Sequence, residues 1–173
     1  MKTKLAILGG LAALALGAGS ASAGGSEGSV GVGAEEIFNV NLAGTTFSIG
    51  GLSANYDMGQ FHVGGVLGFF DDGGNDDTDV FIGGRFYYHL HSTAMSDFSV
   101  GASATMGFLG DGNPGSDNST VMLLEPGFQI RAFVASNVAL SFSGGLTLGL
   151  LDADGVSIGG QGTGSAGVHY YFF

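Results

Sequence analysis

The sequence predicts an all-β fold, an eight-stranded antiparallel transmembrane β-barrel. Three observations lead there: a two-residue alternation of apolar and small polar residues, a polar set almost free of charge, and connections that alternate between short and longer. The alternation is clearest over residues 138–150. Val138, Leu140, Phe142, Leu146, Leu148 and Leu150 share one face, and Ala139, Ser141, Ser143, Gly145, Thr147 and Gly149 share the other. Successive side chains in a strand point to opposite sides, so such a segment is greasy on one side and mildly polar on the other.

The first 23 residues read as a leader rather than as part of the fold. Lys2 and Lys4 precede an apolar run over residues 5–18, and Ala21-Ser22-Ala23 supplies the small-residue cleavage signal. The run is too short and too rich in glycine for a transmembrane helix, the competing reading. Residues 24–28 form a flexible lead-in and 29–173 the barrel. Cleavage after Ala23 would leave Arg85 and Arg131 against all fifteen acids, a formal charge of −13. That balance excludes nucleic acid as a partner, because neutralising phosphates needs a basic patch. There is no cysteine, so no disulfide framework holds the chain. The 35 glycines sit inside alternating segments beside Phe, Val and Leu, which argues against disorder.

Eight strands are expected, at about 29–38, 46–57, 61–71, 79–91, 98–109, 120–135, 138–151 and 157–173. The short connections are 58–60, 92–97 and 136–137. The other set, mostly longer, is 39–45, 72–78, 110–119 and 152–155. All but the first of these are acidic, holding Asp72, Asp76, Asp77, Asp111, Asp117, Asp152 and Asp154. Short turns at one end and longer loops at the other is the plan of a membrane-spanning barrel. Two expectations concern weak points. Pro126 lacks a ladder donor and should sit at a bulge. Strand one is poorly defined, with Glu35 and Glu36 expected outside the bilayer.

The polar face decides the orientation. Soluble surfaces carry about a quarter to a third Lys, Arg, Glu and Asp. Here the polar face of strands three to eight carries essentially Arg85, Glu125 and Arg131. A lumen tolerates small neutral polar residues, whereas a lipid-facing surface must be apolar. The apolar face therefore points outward. Phe61, Tyr88, Phe98, Tyr170 and Phe172 would ring one end and Phe69 and Phe108 the other, as aromatic girdles do.

Several groups are candidates for chemistry. Arg85, Glu125 and Arg131 are expected to form a lumen charge cluster in which Glu125 pairs with at least one arginine, since an unpaired buried charge is costly. An ion path along the lumen is the alternative. His62, His89, His91 and His169 all have inward parity toward the short-turn end. His62 and His89 could be cross-strand neighbours, and His62, His89 and His91 could hold zinc or nickel. Polar lumen lining is the simpler reading. In the acidic loops Asn75, Asp77 and Asp79 are spaced by two, as are Asp111 and Asn113, without the bidentate Glu of an EF-hand. Divalent cations are candidate partners there, against a default of solvated turns. No nucleophile–base–orienter set is recognisable, and His91 and Ser92 point to opposite sides of a strand, so no catalytic residue and no cofactor are assigned.

The chain ends Gly167-Val168-His169-Tyr170-Tyr171-Phe172-Phe173. This aromatic amphipathic strand resembles the assembly signal of bacterial outer-membrane barrels, carried here by Val168, Tyr170, Tyr171, Phe172 and Phe173. With a leader and eight strands, the mature chain resembles the small OmpA-type and OmpX-type barrels over its whole length, by pattern rather than by a motif. One departure is the inward parity of Phe173. The resemblance implies a Gram-negative outer membrane, its lipid as surroundings, the barrel-assembly machinery as a partner of the last strand, and a monomer with periplasmic termini. It implies a structural or surface-interaction role without catalysis. A narrow porin-like pore and a lipid-modifying barrel enzyme are the alternatives.

Overall fold

The computed structural model describes residues 27–42, 45–71, 78–110, 119–152, 155–158 and 164–172. These form nine strand segments: β1 Val30–Leu42, β2 Thr45–Asp57, β3 Phe61–Asp71, β4 Thr78–Ser92, β5 Ser96–Leu109, β6 Ser119–Ala135, β7 Val138–Leu151, β8 Gly155–Ile158 and β9 Gly164–Phe172. Neighbours pair antiparallel in the order β6-β5-β4-β3-β2-β1-β9-β7-β8, and β6 also pairs with β7, which closes the sheet. β8 and β9 both lie along β7, at Leu146–Gly149 and at Val138–Gly144. They are two parts of one stave, so the barrel has eight. Its first and last staves lie side by side, with Val30 opposite Phe172.

The faces are inverted relative to a soluble protein. Leu52, Leu67, Phe69, Ile82, Leu140 and Phe142 are exposed on the outside. Arg131, His62, His169, Gln129, Asp57 and Ser99 are fully buried inside. A protein in water buries the first kind and exposes the second. Hydrocarbon surroundings demand the reverse, and closure through the β6–β7 pairing gives each of the eight staves two hydrogen-bonded neighbours. Tyr88, Phe98, Tyr170 and Phe172 face outward near the short turns and Phe69 and Phe108 near the other end. Among the described residues no helix is long and apolar enough to cross a membrane, and the strands do the crossing.

Three expectations change. β1 runs on to Leu42, so the connection over 39–45 shrinks to residues 43–44, with a register irregularity between Ile37 and Val40. The eighth stave begins earlier than expected, at Gly155, and is described in two segments, β8 and β9. No bulge forms at Pro126. The ladder to β5 passes through Ala102↔Pro126, while the ladder to β7 skips Glu125 and Pro126 and resumes in the same register at Gly127↔Gly145. Glycine makes this crossing feasible. A Cβ on Gly127 would lie 2.7 Å from the Gly145 Cα, and one on Gly145 would lie 2.8 Å from the Gly127 Cα. The missing proline donor is thus accommodated by a two-position gap in the ladder to β7, not by an extra residue. Bulges occur elsewhere, between His89 and His91 and between Phe133 and Ala135.

Candidate functional site

The lumen end near the short turns is filled by a polar plug. Its members come from the ends of several staves: Asp57 closes β2, His62 is second in β3, His89 lies near the end of β4, and Asp97 is second in β5. Arg131 lies near the end of β6 and Tyr171 near the end of β9. Arg131 is the hub. Its Nη1 donates to Asp57 Oδ2 at 2.6 Å and to the Tyr171 hydroxyl at 2.9 Å, and its Nη2 reaches Asp57 Oδ1 at 3.3 Å. Its Nε donates to Asp97 Oδ2 at 2.8 Å. The planar guanidinium suits this because it offers five donors in a fixed fork. The Phe133 and Tyr171 rings lie 5.7 and 5.8 Å from the guanidinium carbon, within cation–π range. Tyr171 finds room because Gly31 faces it, where a Cβ would lie 2.7 Å from the ring.

Two imidazoles complete this layer. His62 Nδ1 and His89 Nε2 share a 2.7 Å hydrogen bond, and the His62 ring stacks on Tyr87. His89 Nδ1 donates to the Gly59 carbonyl at 3.0 Å. Gly59 holds φ +81° in the 58–60 turn, a backbone that a side chain would strain. With Nδ1 carrying the proton, a neutral His89 presents the Nε2 lone pair to the interior. That lone pair lies 3.1 Å from Arg131 Nη2 and 3.8 Å from Asp57 Oδ1.

A second layer occupies mid-lumen. Arg85 Nη1 pairs with the Glu35 carboxylate, and its Nε and Nη2 donate to Asn55 Oδ1 at 3.1 and 2.8 Å. Gly64 leaves space for that guanidinium, since a Cβ there would lie 2.6 Å from Arg85 Nε. Ser165 Oγ donates to Glu35 Oε1 at 2.6 Å and also bonds Ser143 Oγ at 2.7 Å. His169 Nε2 and Ser53 Oγ share a 2.6 Å hydrogen bond. Between Arg85 and Glu125 lies a cavity of about 40 Å³ bounded by Glu35, Ser103, Thr105 and Ser143. That is room for roughly two or three waters. Beyond it, Phe81, Val121 and Leu123 are buried on the loop side.

Arg85, Glu125 and Arg131 all point inward, but the structure does not bring them into one cluster. Arg85 pairs with Glu35, Arg131 pairs with Asp57 and Asp97, and Glu125 accepts a hydrogen bond from Thr147 at 3.2 Å. Glu125 and Arg131 are six positions apart along one strand, roughly 20 Å at 3.3 Å per residue. The expected pairing of Glu125 with an arginine is therefore replaced by Glu35, which parity within an extended β1 carries into the lumen and out of the aqueous position expected for it. Glu36, next along, is exposed.

His91 also departs from expectation. The bulge between His89 and His91 reverses its parity, aligning it with the outward Phe98 and leaving it exposed. His62 and His89 meet as diagonal neighbours, and Asp57 stands third beside them. Asp57 and Asp97 escaped the sequence reading because each sits at a strand end. Their signal was parity shared with the inward Asn55 and Ser99. At the outer rim Asp152 accepts the Thr120 N–H at 2.8 Å, tying β7 to β6. Asp72, Asp76, Asp77, Asp111, Asp117, Asp154, Phe173 and the leader lie outside the described residues. In the last segment Tyr170 and Phe172 face outward, whereas Tyr171 faces the plug.

No protein-family model matches the sequence, and no curated protein matches it. Among solved structures, the N-terminal β-barrel domain of Pseudomonas aeruginosa OprF aligns over 84% of this chain and 98% of that one, with a TM-score of 0.60 and 16% identity. The fold is that of a small outer-membrane barrel. Ail, the attachment invasion locus protein of Yersinia pestis, aligns over 85% of this chain and 100% of its own, with a TM-score of 0.50 and 16% identity. At such identity the likeness is one of architecture.

Proposed function

We propose that the protein is an integral component of a Gram-negative outer membrane with a structural or surface-interaction role, without catalysis and without a conducting path. The observation that carries this reading is the Arg131 plug. It spans the lumen at the short-turn end, and the cavity beyond it holds only about 40 Å³. The apolar exterior supports residence in lipid, and both chain ends of the barrel lie at the short-turn end, the periplasmic side of such a fold. Export through residues 1–23, delivery to the barrel-assembly machinery through β9, and a monomeric state belong to the same reading.

The test has two arms. Membrane fractionation with heat-modifiable gel mobility should place the protein in the outer-membrane fraction as a folded, faster-running band that shifts on boiling. Planar-bilayer recording of the refolded protein should then give no discrete current steps. A soluble monomer in the absence of detergent would overturn the membrane assignment, and regular steps would overturn the closed lumen.

A further inference from the structure

We propose that Asp57, His62 and His89 form a binding site for one divalent transition ion of zinc type at the short-turn mouth of the barrel. The inference goes beyond the structural role proposed above and does not depend on it. Three ligand atoms converge: His62 Nδ1, His89 Nε2 and a carboxylate oxygen of Asp57, all within 4.8 Å of one another. His62 Nδ1 lies 2.7 Å from His89 Nε2, which lies 3.8 Å from Asp57 Oδ1. Ligands of a tetrahedral zinc with bonds of about 2.0–2.1 Å stand roughly 3.3 Å apart, between those two separations. Two imidazoles and a carboxylate with a fourth position for water is a zinc donor set.

Three further observations point to a cation there. The first is charge. Asp57 and Asp97 face a single guanidinium, so with neutral imidazoles the pocket carries one surplus negative charge, and Asp97 Oδ1 is buried without a hydrogen-bond partner. Buried charge calls for a counter-ion.

The second is orientation. His89 Nδ1–H is held by the Gly59 carbonyl, the outer-sphere contact that fixes a ligating histidine with its other nitrogen facing the metal.

The third is a pair of orphaned atoms. His62 Nε2 and Gln129 Oε1 are both buried without a hydrogen-bond partner of normal geometry, although the two side chains lie within interaction range of each other. If the His62 proton moves from Nδ1 to Nε2, Nδ1 becomes a metal ligand and Nε2–H can donate to Gln129 Oε1. Metal binding and the repair of two unsatisfied atoms then coincide.

The cost falls on Arg131, and it is small in geometric terms. Asp57 Oδ1, the oxygen nearer the ion, is the one held loosely, at 3.3 Å. Arg131 would give up that contact and the 3.1 Å contact of Nη2 with His89. It would keep Asp57 Oδ2, Asp97 Oδ2 and the Tyr171 hydroxyl.

The experiment is calorimetric titration of Zn²⁺ into the full-length protein extracted in detergent, with millimolar Mg²⁺ present to occupy the oxygen-rich acidic loops. One site per chain is expected. His62→Gln and His89→Gln should each weaken it by roughly tenfold or more, while His91→Gln leaves it unchanged. Heat-modifiable mobility checks that each variant assembles. Co²⁺ titration of the unaltered protein gives a readout independent of the variants: visible absorption of a four-coordinate nitrogen–oxygen site should saturate at one equivalent. Absence of Zn²⁺ binding under Mg²⁺, binding indifferent to both His62→Gln and His89→Gln, binding lost in His91→Gln, or no saturable Co²⁺ absorption would each overturn the proposal.

Discussion

Asp57 and Arg131 stand 74 residues apart in the chain and meet as a two-pronged ion pair in the lumen, with contacts of 2.6 and 3.3 Å. Neither side chain touches solvent. Taking both charges from water is expensive, so the pair need not add net stability. Breaking it strands a charge, and that gives it leverage over the fold.

Replacing Arg131 by Met should therefore be severe, because it leaves Asp57 and Asp97 without their common partner. The expected loss is about 3–5 kcal/mol, measured as a fall in the urea midpoint of the refolded barrel. Adding Asp57→Asn and Asp97→Asn to the same protein should restore part of that loss. An unchanged midpoint in the single variant would show that the plug contributes nothing to stability.

The two mid-lumen glutamates should respond in opposite directions. Glu35 neutralises Arg85, so Glu35→Gln leaves a buried guanidinium facing only neutral amide oxygens, with no charge partner, and should lower stability by about 3 kcal/mol. Glu125 accepts from Thr147 and has no arginine beside it. Removing its charge in Glu125→Gln should be neutral or raise the urea midpoint. Equal destabilisation by both variants would contradict the pairing described here.

Steric demands at the β6–β7 crossing give a paired test. Gly145→Ala places a methyl 2.8 Å from the Gly127 Cα and should cost about 1–3 kcal/mol or block assembly. The neighbouring Gly144→Ala meets nothing nearer than the Phe128 ring at 3.7 Å and should fold normally. Heat-modifiable mobility of the two variants, run side by side, decides the matter.

Charge on the outer wall tests the orientation of the whole barrel. Ala104 faces outward on β5 between the aromatic rims marked by Phe98 and Phe108. Ala104→Arg should destabilise the barrel in a bilayer by about 2–4 kcal/mol, as a cation near the membrane midplane does. Ala104→Leu should be tolerated. If the arginine variant unfolded at the same urea concentration as the parent, the outer wall would not be in hydrocarbon.

The staves were legible wherever parity was unbroken and a turn signal bounded the run. β3 Phe61–Asp71 and β7 Val138–Leu151 end where the alternation and the neighbouring turns placed them. Parity arguments fail at bulges, because one inserted residue turns every later side chain to the other face. That is why His91 has inward parity in the sequence and yet lies outside. They also fail at strand ends, where an acid reads as a turn residue, which hid Asp57 and Asp97 from the cluster they complete. Pairing in depth was invisible for a different reason. Alternation says which side a residue faces but not its height across a tilted, closed sheet, so Glu125 seemed as good a partner for an arginine as Glu35. Pro126 reads as a bulge because it lacks a donor, but the ladder to β7 simply leaves its position unpaired and keeps its register.

From residue 27 onward the chain contains two permanently cationic side chains, and both are turned inward and bound to carboxylates. Among the described residues, the outside of the barrel thus offers no lysine or arginine to any polyanion, whether sulfated glycan, phosphorylated lipid sugar or nucleic acid. Adhesion to such a surface would have to run through bridging cations, hydroxyls or greasy contact. Raising ionic strength should accordingly leave its associations intact or strengthen them.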